Sequence, residues 1–443
     1  MENISLELKP ARTFGGAKVP HRKHAKNAAT IVMPPPKTVE ISMQQHIGAP
    51  CTPLVKVGDT VKAYQKIGES EAFVSAPIHA SISGTVKKIG SLLLPNGQKI
   101  PSVIIESDGE LLTLEGIAPP QVTNAEELAA AARASGLVGL GGAGFPAHVK
   151  LIPGDKKIDT LVINGAECEP YITADYREMI EHTDDILNGI FKIKDILKIS
   201  CVKICIEDNK PEAINILEQR IKSDSRSKGD VFIVKLKSRY PQGAEKVLVQ
   251  AATGRLIPAG GLPAHVGCIL MNVTSVAFLA RYLRSGLPLV SKRLTFAGSA
   301  AANPCNVEVR VGTSIKDIAE FCGGFKGEPK KILLGGPMMG TAIYDVNYPI
   351  TKKDNAILVF NKRDAKARPI TSCIRCGRCL KVCPMKLRPC QIEQAAELQN
   401  AEALDMLDAA ACMECGSCAY VCPAGRKLVQ SIKLGKQILR EGK

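Results

Sequence analysis

At 443 residues the chain has the length of about three ordinary domains, and its 45% apolar and 23% charged content is usual for a globular protein. The 58 Lys and Arg against 43 Asp and Glu give a net charge of +15, but aromatics are only 4% with no Trp, so base-stacking platforms are scarce and no nucleic-acid partner is expected. Anionic cofactors and acidic redox partners would draw on the same charge. The most apolar stretch, Val266 to Leu283, contains Asn272, Thr274 and Ser275 and reaches Arg281, so it reads as a buried strand and helix and excludes a bilayer span there. The N-terminus carries Glu2 and Glu7 with no apolar h-region, which argues against a secretory signal.

Residues 1–40 read as an N-terminal extended segment, with Lys18, Arg22, Lys23 and Lys26 ahead of the triple proline Pro34 to Pro36, and the expectation is a tail wrapped over the surface. Over residues 41–118 the pattern changes to short β-branched runs punctuated by glycine, PLVKVGDTVKAYQKIG and FVSAPIHASISGTVKKIG, which predict a small all-β unit. The unit resembles the barrel-sandwich fold of biotinyl and lipoyl carrier domains. A carrier would present a lysine at the hairpin tip between its halves; here the tip reads ESEAFVS, so the domain is expected to be structural.

Residues 119–290 alternate helical and strand-like segments and predict an α/β domain. NAEELAAAARASGLV reads as a helix, and GLGGAGFPAHVK follows it. Gly139, Gly141, Gly142 and Gly144 fall within six residues, a composition that lets backbone approach a phosphate. Gly139, Gly141 and Gly144 also satisfy G-x-G-x-x-G, yet that fingerprint belongs after a strand, and here it follows a helix. By itself the loop is therefore either a cofactor cradle or a glycine-rich turn. DTLVIN is a strand with GAECEPY at its carboxyl end, where ligands of α/β sheets sit. CVKICIED and VFIVKL supply further strands, and RYPQGAEKVLVQAATGR places Gly243, Ala244 and Glu245 at a loop-to-helix junction.

Residues 291–345 run strand, strand, helix, strand and suggest a β-grasp-like module. Residues 346–443 begin with a basic connector, NKRDAKARP, and carry the most specific motif in the chain. CIRCGRCLKVCP recurs 39 residues later as CMECGSCAYVCP, each a C-x2-C-x2-C-x3-C-P run of the kind that holds a [4Fe-4S] cluster. On the ferredoxin rule Cys373, Cys376 and Cys379 share one cluster with Cys422, and Cys412, Cys415 and Cys418 share the other with Cys383. Zinc sites seldom need eight cysteines in two such runs. The strongly helical spacer makes this an α-helical two-cluster ferredoxin, and Cys390, outside both runs, is assigned to the core. Clusters take single electrons and need a source; a flavin in the α/β domain, which accepts hydride in pairs and releases electrons singly, would supply one.

The glycine loop resembles the flavin loop of the NADH-binding flavoprotein subunit of respiratory complex I, whose pattern is close to GxGGAGFPxxxK, and NGAECEP resembles that subunit's NxxExEP. The order of barrel-sandwich domain, flavin core, β-grasp module and ferredoxin is similar to that of the C subunits of Rnf complexes. The likeness covers essentially the whole chain, including GGAKVPHRK and QHIGAP. The implied architecture is multidomain α+β: a barrel-sandwich β domain, a complex-I-like α/β FMN domain, a β-grasp (SLBB-like) module and the two-cluster ferredoxin. The resemblance implies that Gly139, Gly141 and Gly142 approach FMN, that Lys150 contacts its phosphate and that Asn164 and Glu167 lie along the flavin. It further implies that Glu169 meets nicotinamide ribose hydroxyls, that Phe145 faces adenine and that Gly243, Glu245 and Asn272 complete the pocket. Ala166 and Ala244 stand where the complex I pattern has acids, which keeps open a non-catalytic electron-transfer adaptor. The implied activity is NADH oxidation on FMN with no catalytic side chain, feeding two [4Fe-4S] clusters, in a complex that joins NAD and ferredoxin and translocates Na+ or H+. The implied partners are NADH and other Rnf subunits, integral membrane and iron–sulfur subunits among them. The implied location is peripheral, on the cytoplasmic side of the cell membrane. A cobalamin reductase of the same build is the alternative these motifs hardly separate.

Overall fold

The structure is a computed structural model that describes Ala11 and residues 14–442. Its central sheet has four parallel strands in the order Val231–Leu236, Cys201–Glu207, Thr160–Gly165, Cys268–Asn272. Buried parallel strands must be apolar on both faces, and TLVING is buried at every position except Asn164. The chain crosses from Thr160–Gly165 outward to Cys201–Glu207 and Val231–Leu236, then returns to place Cys268–Asn272 on the other side. This reversal leaves a crevice at the strands' carboxyl ends, where Asn164 and Asn272 are register partners. The helices Thr183–Leu197 and Val273–Ser285 pack together on one face. Gly189 permits that closeness, since a Cβ there would fall within 2.3 Å of the Val276 carbonyl oxygen.

The barrel-sandwich unit is a four-stranded antiparallel sheet (Thr38–Ser42, Lys99–Ser107, Gly84–Leu93, Thr60–Val61) facing three short strands (Thr52–Pro53, Lys66–Glu69, Ile78–His79). Val39, Ile41, Met43, Ile67, Val103 and Ile105 fill the space between them. The tip that a carrier would swing is pinned. Phe73 meets His148 edge-on with ring centroids 5.7 Å apart, and Arg133 donates to Glu69 Oε1 at 2.9 Å and to the Ser70 carbonyl at 2.6 Å.

A six-stranded sheet follows, and it carries three strands beyond the sequence-based expectation, the short edge strand Thr341–Ile343 among them. Its order is Thr30–Val32, Cys305–Arg310, Ser291–Ala297, Ala356–Phe360, Lys331–Leu334, Thr341–Ile343. Ala356–Phe360, which falls in the expected connector before the ferredoxin, is a central strand buried at all five positions. The run AILVF has the uninterrupted apolar character such a strand needs, and the basic residues after it obscure that. Thr30–Val32 comes from the N-terminal segment, of which residues 1–10, 12 and 13 lie outside the described residues, and its other described part is also no surface tail. Ala17 and Ala25 are fully covered, Ala17 exchanges backbone hydrogen bonds with Tyr240, and Gly16 N donates to the Val382 carbonyl of the ferredoxin region. Short apolar residues among lysines give no periodic signal by which this strap could be read.

The last part is helical, as its sequence predicts: Arg378–Val382, Pro389–Glu397, Ala401–Met406, Ser417–Tyr420 and Leu428–Glu441. The 39-residue repeat returns in the backbone as well as in the cysteines. Left-handed residues recur in pairs, Arg375 with Glu414 (φ 53° and 58°), Gly377 with Gly416 (69° and 80°) and Lys386 with Gly425 (56° and 63°).

Candidate functional site

The glycine loop is closed on itself: Gly139 N donates to the Phe145 carbonyl at 2.8 Å and Gly144 N to the Gly139 carbonyl at 3.1 Å. It leaves the helix Ala125–Ala134 and enters a single turn, Ala147–Lys150, so it is not a Rossmann strand-to-helix turn. Its glycines are there for two different reasons. A Cβ on Gly141 would stand 2.8 Å from Asn272 Nδ2, whereas Gly142 has room for a side chain but adopts φ +113°, which L residues rarely reach. Ser275 Oγ accepts from Leu140 N at 3.0 Å, and the buried Lys292 ammonium donates to the Leu140 carbonyl at 2.7 Å, so the loop is fixed from behind.

The loop roofs a cavity of about 740 Å³ at the carboxyl ends of the parallel strands. All eleven residues singled out for flavin and nucleotide line it: Gly139, Gly141, Gly142, Phe145 and Lys150 from the loop, Asn164, Glu167 and Glu169 after the first strand, then Gly243, Glu245 and Asn272. Asn272 caps the helix Val273–Ser285, accepting from Thr274 N and Ser275 N, and its amide donates to Asp175 Oδ2 at 2.8 Å. Asn164 donates to the Gly243 carbonyl at 2.9 Å. Lys150 Nζ sits 2.9 Å from Glu245 Oε2 and 5.9 Å from the centroid of Phe145.

The two glutamates are held by groups far away in the sequence: Lys23, which ends GGAKVPHRK, and the Met338 and Met339 amides of GGPMMG. Glu167, at φ +48°, accepts from Asp175 N at 2.7 Å, and burial pushes its carboxyl up to about 7 against the pull of Lys23. Lys23 Nζ lies 3.5 Å from Glu167 Oε2 and donates to the carbonyls of Glu167 (2.8 Å), Glu169 (2.9 Å) and Ile172 (2.5 Å). One ammonium thus sets the curvature of the whole ECEPYI segment. Glu169 accepts from Met338 N at 3.1 Å and Met339 N at 2.9 Å, and burial likewise raises it to about 7. Gly336 makes room for that carboxylate, as a Cβ there would overlap it at 2.3 Å. GGPMMG is therefore a second glycine loop of the same cavity; its glycines are the available signal, and only the fold brings it over. Lys353 and Asn355, also on the wall, carry no signal. Of the two alanines, Ala244 lines the cavity at the start of the helix Glu245–Thr253, whereas Ala166 is buried in an apolar cluster with Val162, Cys205 and Leu248.

A volume of about 740 Å³ with apolar walls, two glycine loops and a lysine beside the first is of the size and character of a cofactor pocket. FMN fits these residues: the cradle needs no side chain at Gly141 or Gly142, and Lys150 offers a cation to a phosphate.

The cysteines gather in two groups. Cys373, Cys376, Cys379 and Cys422 line one cavity of about 220 Å³, joined there by Cys390. Cys383 and Cys412 share an apolar cluster, with the Leu387 and Glu414 amides donating to their sulfurs at 3.3 Å, and both interact electrostatically with Cys415 and Cys418. The ferredoxin rule pairs the same residues in two sets of four, and the sets adjoin, since Cys418 shares an apolar cluster with Cys422 and Cys379 packs against it. Among the described residues no three His, Cys, Asp or Glu converge as ligands of a single ion would. Thiols spread around a cavity suit a cubane, whose ligands stand on separate irons. The groups differ in depth: Cys373 and Cys376 are exposed, whereas Cys415 and Cys418 are buried. Cys415 packs with Ala17, Val19 and Tyr240, against Cys168, Met338 and Met413, and Met413 is itself part of the large cavity's wall.

This combination of fold and cavity defines a flavoprotein domain fused to a two-cluster iron–sulfur domain. Family models match accordingly: the RnfC barrel sandwich hybrid domain over residues 11–110, the Nuo51 FMN-binding domain over 132–281, the SLBB domain over 297–342 and the 4Fe-4S dicluster domain over 372–426. Among relatives, the C subunit of the proton-translocating ferredoxin:NAD(+) oxidoreductase complex of Clostridium ljungdahlii is 45% identical over 85% of this chain and 83% of that protein. Its counterpart in the Na(+)-translocating complex of Acetobacterium woodii is 42% identical over 98% of both, and that of the ion-translocating oxidoreductase complex of Rhodobacter capsulatus 37% over 100% and 86%. The chain belongs to the family of Rnf complex C subunits. Its fold is also similar to a chain of an NAD+-reducing [NiFe]-hydrogenase, with a TM-score of 0.51 at 17% identity, covering 73% of this chain and 64% of that one.

Proposed function

We propose that this chain is the NADH-oxidising, electron-input subunit of an ion-translocating ferredoxin:NAD(+) oxidoreductase complex, using FMN and two [4Fe-4S] clusters. The observation that carries the reading is the shared wall. Met413, between Cys412 and Cys415, lines the cavity that also holds the glycine loop, so the inner cysteine group lies against the flavin pocket. Bound FMN would take electrons as a hydride pair and pass them on singly, which is what one-electron clusters require.

The chain's own residues would divide the work around it. Gly139, Gly141 and Gly142 present backbone to the flavin, and Lys150, now paired with Glu245, can turn to a phosphate. Glu167 stiffens the strand end beside Asn164, Phe145 offers its ring to adenine, and Gly243 and Asn272 close the floor. Glu169 is available to ribose hydroxyls if it trades the Met338 and Met339 amides for them. Cys412, Cys415, Cys418 and Cys383 would hold the inner cluster, and Cys373, Cys376, Cys379 and Cys422 the outer one.

The outer group opens on a face that carries Arg375, Arg378 and Lys381 beside the exposed Ile370, Ile374 and Leu380. Such a face suits an acidic iron–sulfur or membrane-bound partner. Among the described residues no helix is long and apolar enough to cross a membrane; the proposed place of the chain is peripheral, docked on integral membrane subunits at the cytoplasmic face. Reconstituted with FMN and iron–sulfide, the protein should bleach its flavin on addition of NADH and reduce ferricyanide. FMN bound without bleaching would leave only an adaptor.

A further inference from the structure

Among the described residues two lysines and no arginine stand on the wall of the large cavity, Lys150 and Lys353. Lys150 is paired with Glu245. The wall's other carboxylates are engaged too: Glu167 and Glu169 as above, Asp175 by Asn272 and Thr274, and Asp354 by the amide and hydroxyl of Thr351. Lys353 is different, for it is exposed and makes no hydrogen bond or ion pair among the described residues.

The base of this side chain is fixed although its head is free. On one side Lys352 N donates to Gln45 Oε1 at 3.0 Å, and the buried Lys352 ammonium donates to the Pro77 and Gly136 carbonyls at 2.8 Å each. On the other side Asp354 N closes a turn onto the Thr351 carbonyl at 3.2 Å. A Cβ on Gly144 would stand 3.2 Å from Lys353 Cβ and 3.4 Å from its Cδ, so the stem runs along the glycine loop just before Phe145. Asn355 joins the same wall to both glycine loops: it donates to the Gly141 carbonyl at 3.4 Å, and its Oδ1 lies 3.9 Å from where a Cβ on Gly335 would stand.

We propose that Lys353 binds the pyrophosphate of a dinucleotide substrate, leaving Lys150 to the FMN phosphate. With adenine at Phe145 and the nicotinamide ribose at Glu169, a pyrophosphate is the anionic group that links them, and Lys353 is the cation on the wall with no partner to give up. An ammonium offers three donors and a full charge to phosphate oxygens, and a stem already held in place loses little freedom on binding. The proposal rests on the reading of this cavity as a site for NADH beside FMN.

The test uses the full chain reconstituted with FMN and iron–sulfide, and ADP-ribose as a probe that carries the pyrophosphate without nicotinamide. In Lys353→Gln the Kd for ADP-ribose, read by calorimetry, and the KM for NADH with ferricyanide should each rise about tenfold while kcat holds. Lys353→Arg should recover most of that affinity, and FMN affinity should match that of the unaltered chain in both variants. Unchanged ADP-ribose binding in Lys353→Gln overturns the proposal. Weakened flavin binding does so as well: loss of FMN but not riboflavin places Lys353 on the flavin phosphate, and loss of both makes its role structural. If NADH fails to bleach bound FMN in the unaltered chain, the underlying reading falls and the proposal with it, whereas bleaching there with no effect of Lys353→Gln sinks the proposal alone.

Discussion

Lys23 bears more of the site than its place in a basic, irregular stretch would indicate. Its ammonium satisfies three carbonyls of the segment that follows the first parallel strand and balances Glu167, whose side chain is only 3% exposed. Removing one partner of such an arrangement leaves acceptors and a charge buried alone. Lys23→Met should lower unfolding free energy by about 2–4 kcal/mol in denaturant titration, and FMN affinity should fall with it. Glu167 gives a pH signature whose sign can be worked out. Its carboxyl titrates near 7 in the folded chain against an ordinary 4.5, so between those values the native state keeps a proton that the unfolded chain has released. Stability from this group is therefore lost as pH rises through that window, and Glu169, raised to about 7 as well, adds to the slope. Glu167→Gln should flatten the decline in Tm across the same range; an unchanged slope in thermal melts would show that the carboxyl is already ionised at low pH.

The helix Val273–Ser285 and the glycine loop form one device, joined through Asn272. The side chain caps the helix, ties it to Asp175 and limits what can stand at Gly141. Asn272→Ala removes the cap and should cost about 1–2 kcal/mol, read from the urea midpoint. Gly141→Ala has a different signature. The added methyl meets the Asn272 amide at 2.8 Å and pushes the loop toward the cavity, so flavin affinity should drop about tenfold or more in a fluorescence titration while the urea midpoint moves less. That the loop is a cradle can be read in its spacing together with the cysteine runs. Asn272 has a weaker signal, because a polar residue closing an apolar strand is equally a helix cap, and in this fold it is one.

Across the molecule, depth orders the two clusters. The inner group touches the flavin cavity through Met413, and the outer group opens to solvent. On the proposed function electrons would pass through the inner group to reach the outer, so Cys418→Ser should stop NADH from reducing the outer cluster while flavin bleaching persists. Cys376→Ser should leave the inner cluster reducible. EPR spectra of each variant after NADH addition distinguish the two, and reduction of the outer cluster persisting in Cys418→Ser would show a route that bypasses the inner one. The N-terminal strap helps hold this alignment, since it hydrogen-bonds to both Tyr240 and Val382.

The sequence by itself determined the chemistry: two cluster runs, a glycine cradle, a lysine after it and the acidic strand end, all of which are local patterns in which spacing fixes geometry. The succession of strands and helices along the α/β domain followed from the same local signals. What the tertiary structure alone decided was which parts meet. Lys23 and Met338 reach Glu167 and Glu169 over more than a hundred residues of chain, Ala356–Phe360 pairs with Ser291–Ala297, and Cys373 and Cys376 are exposed while their repeat partners Cys412 and Cys415 are half-buried and buried. Contacts of that kind depend on packing between elements, and no pattern within either partner encodes them.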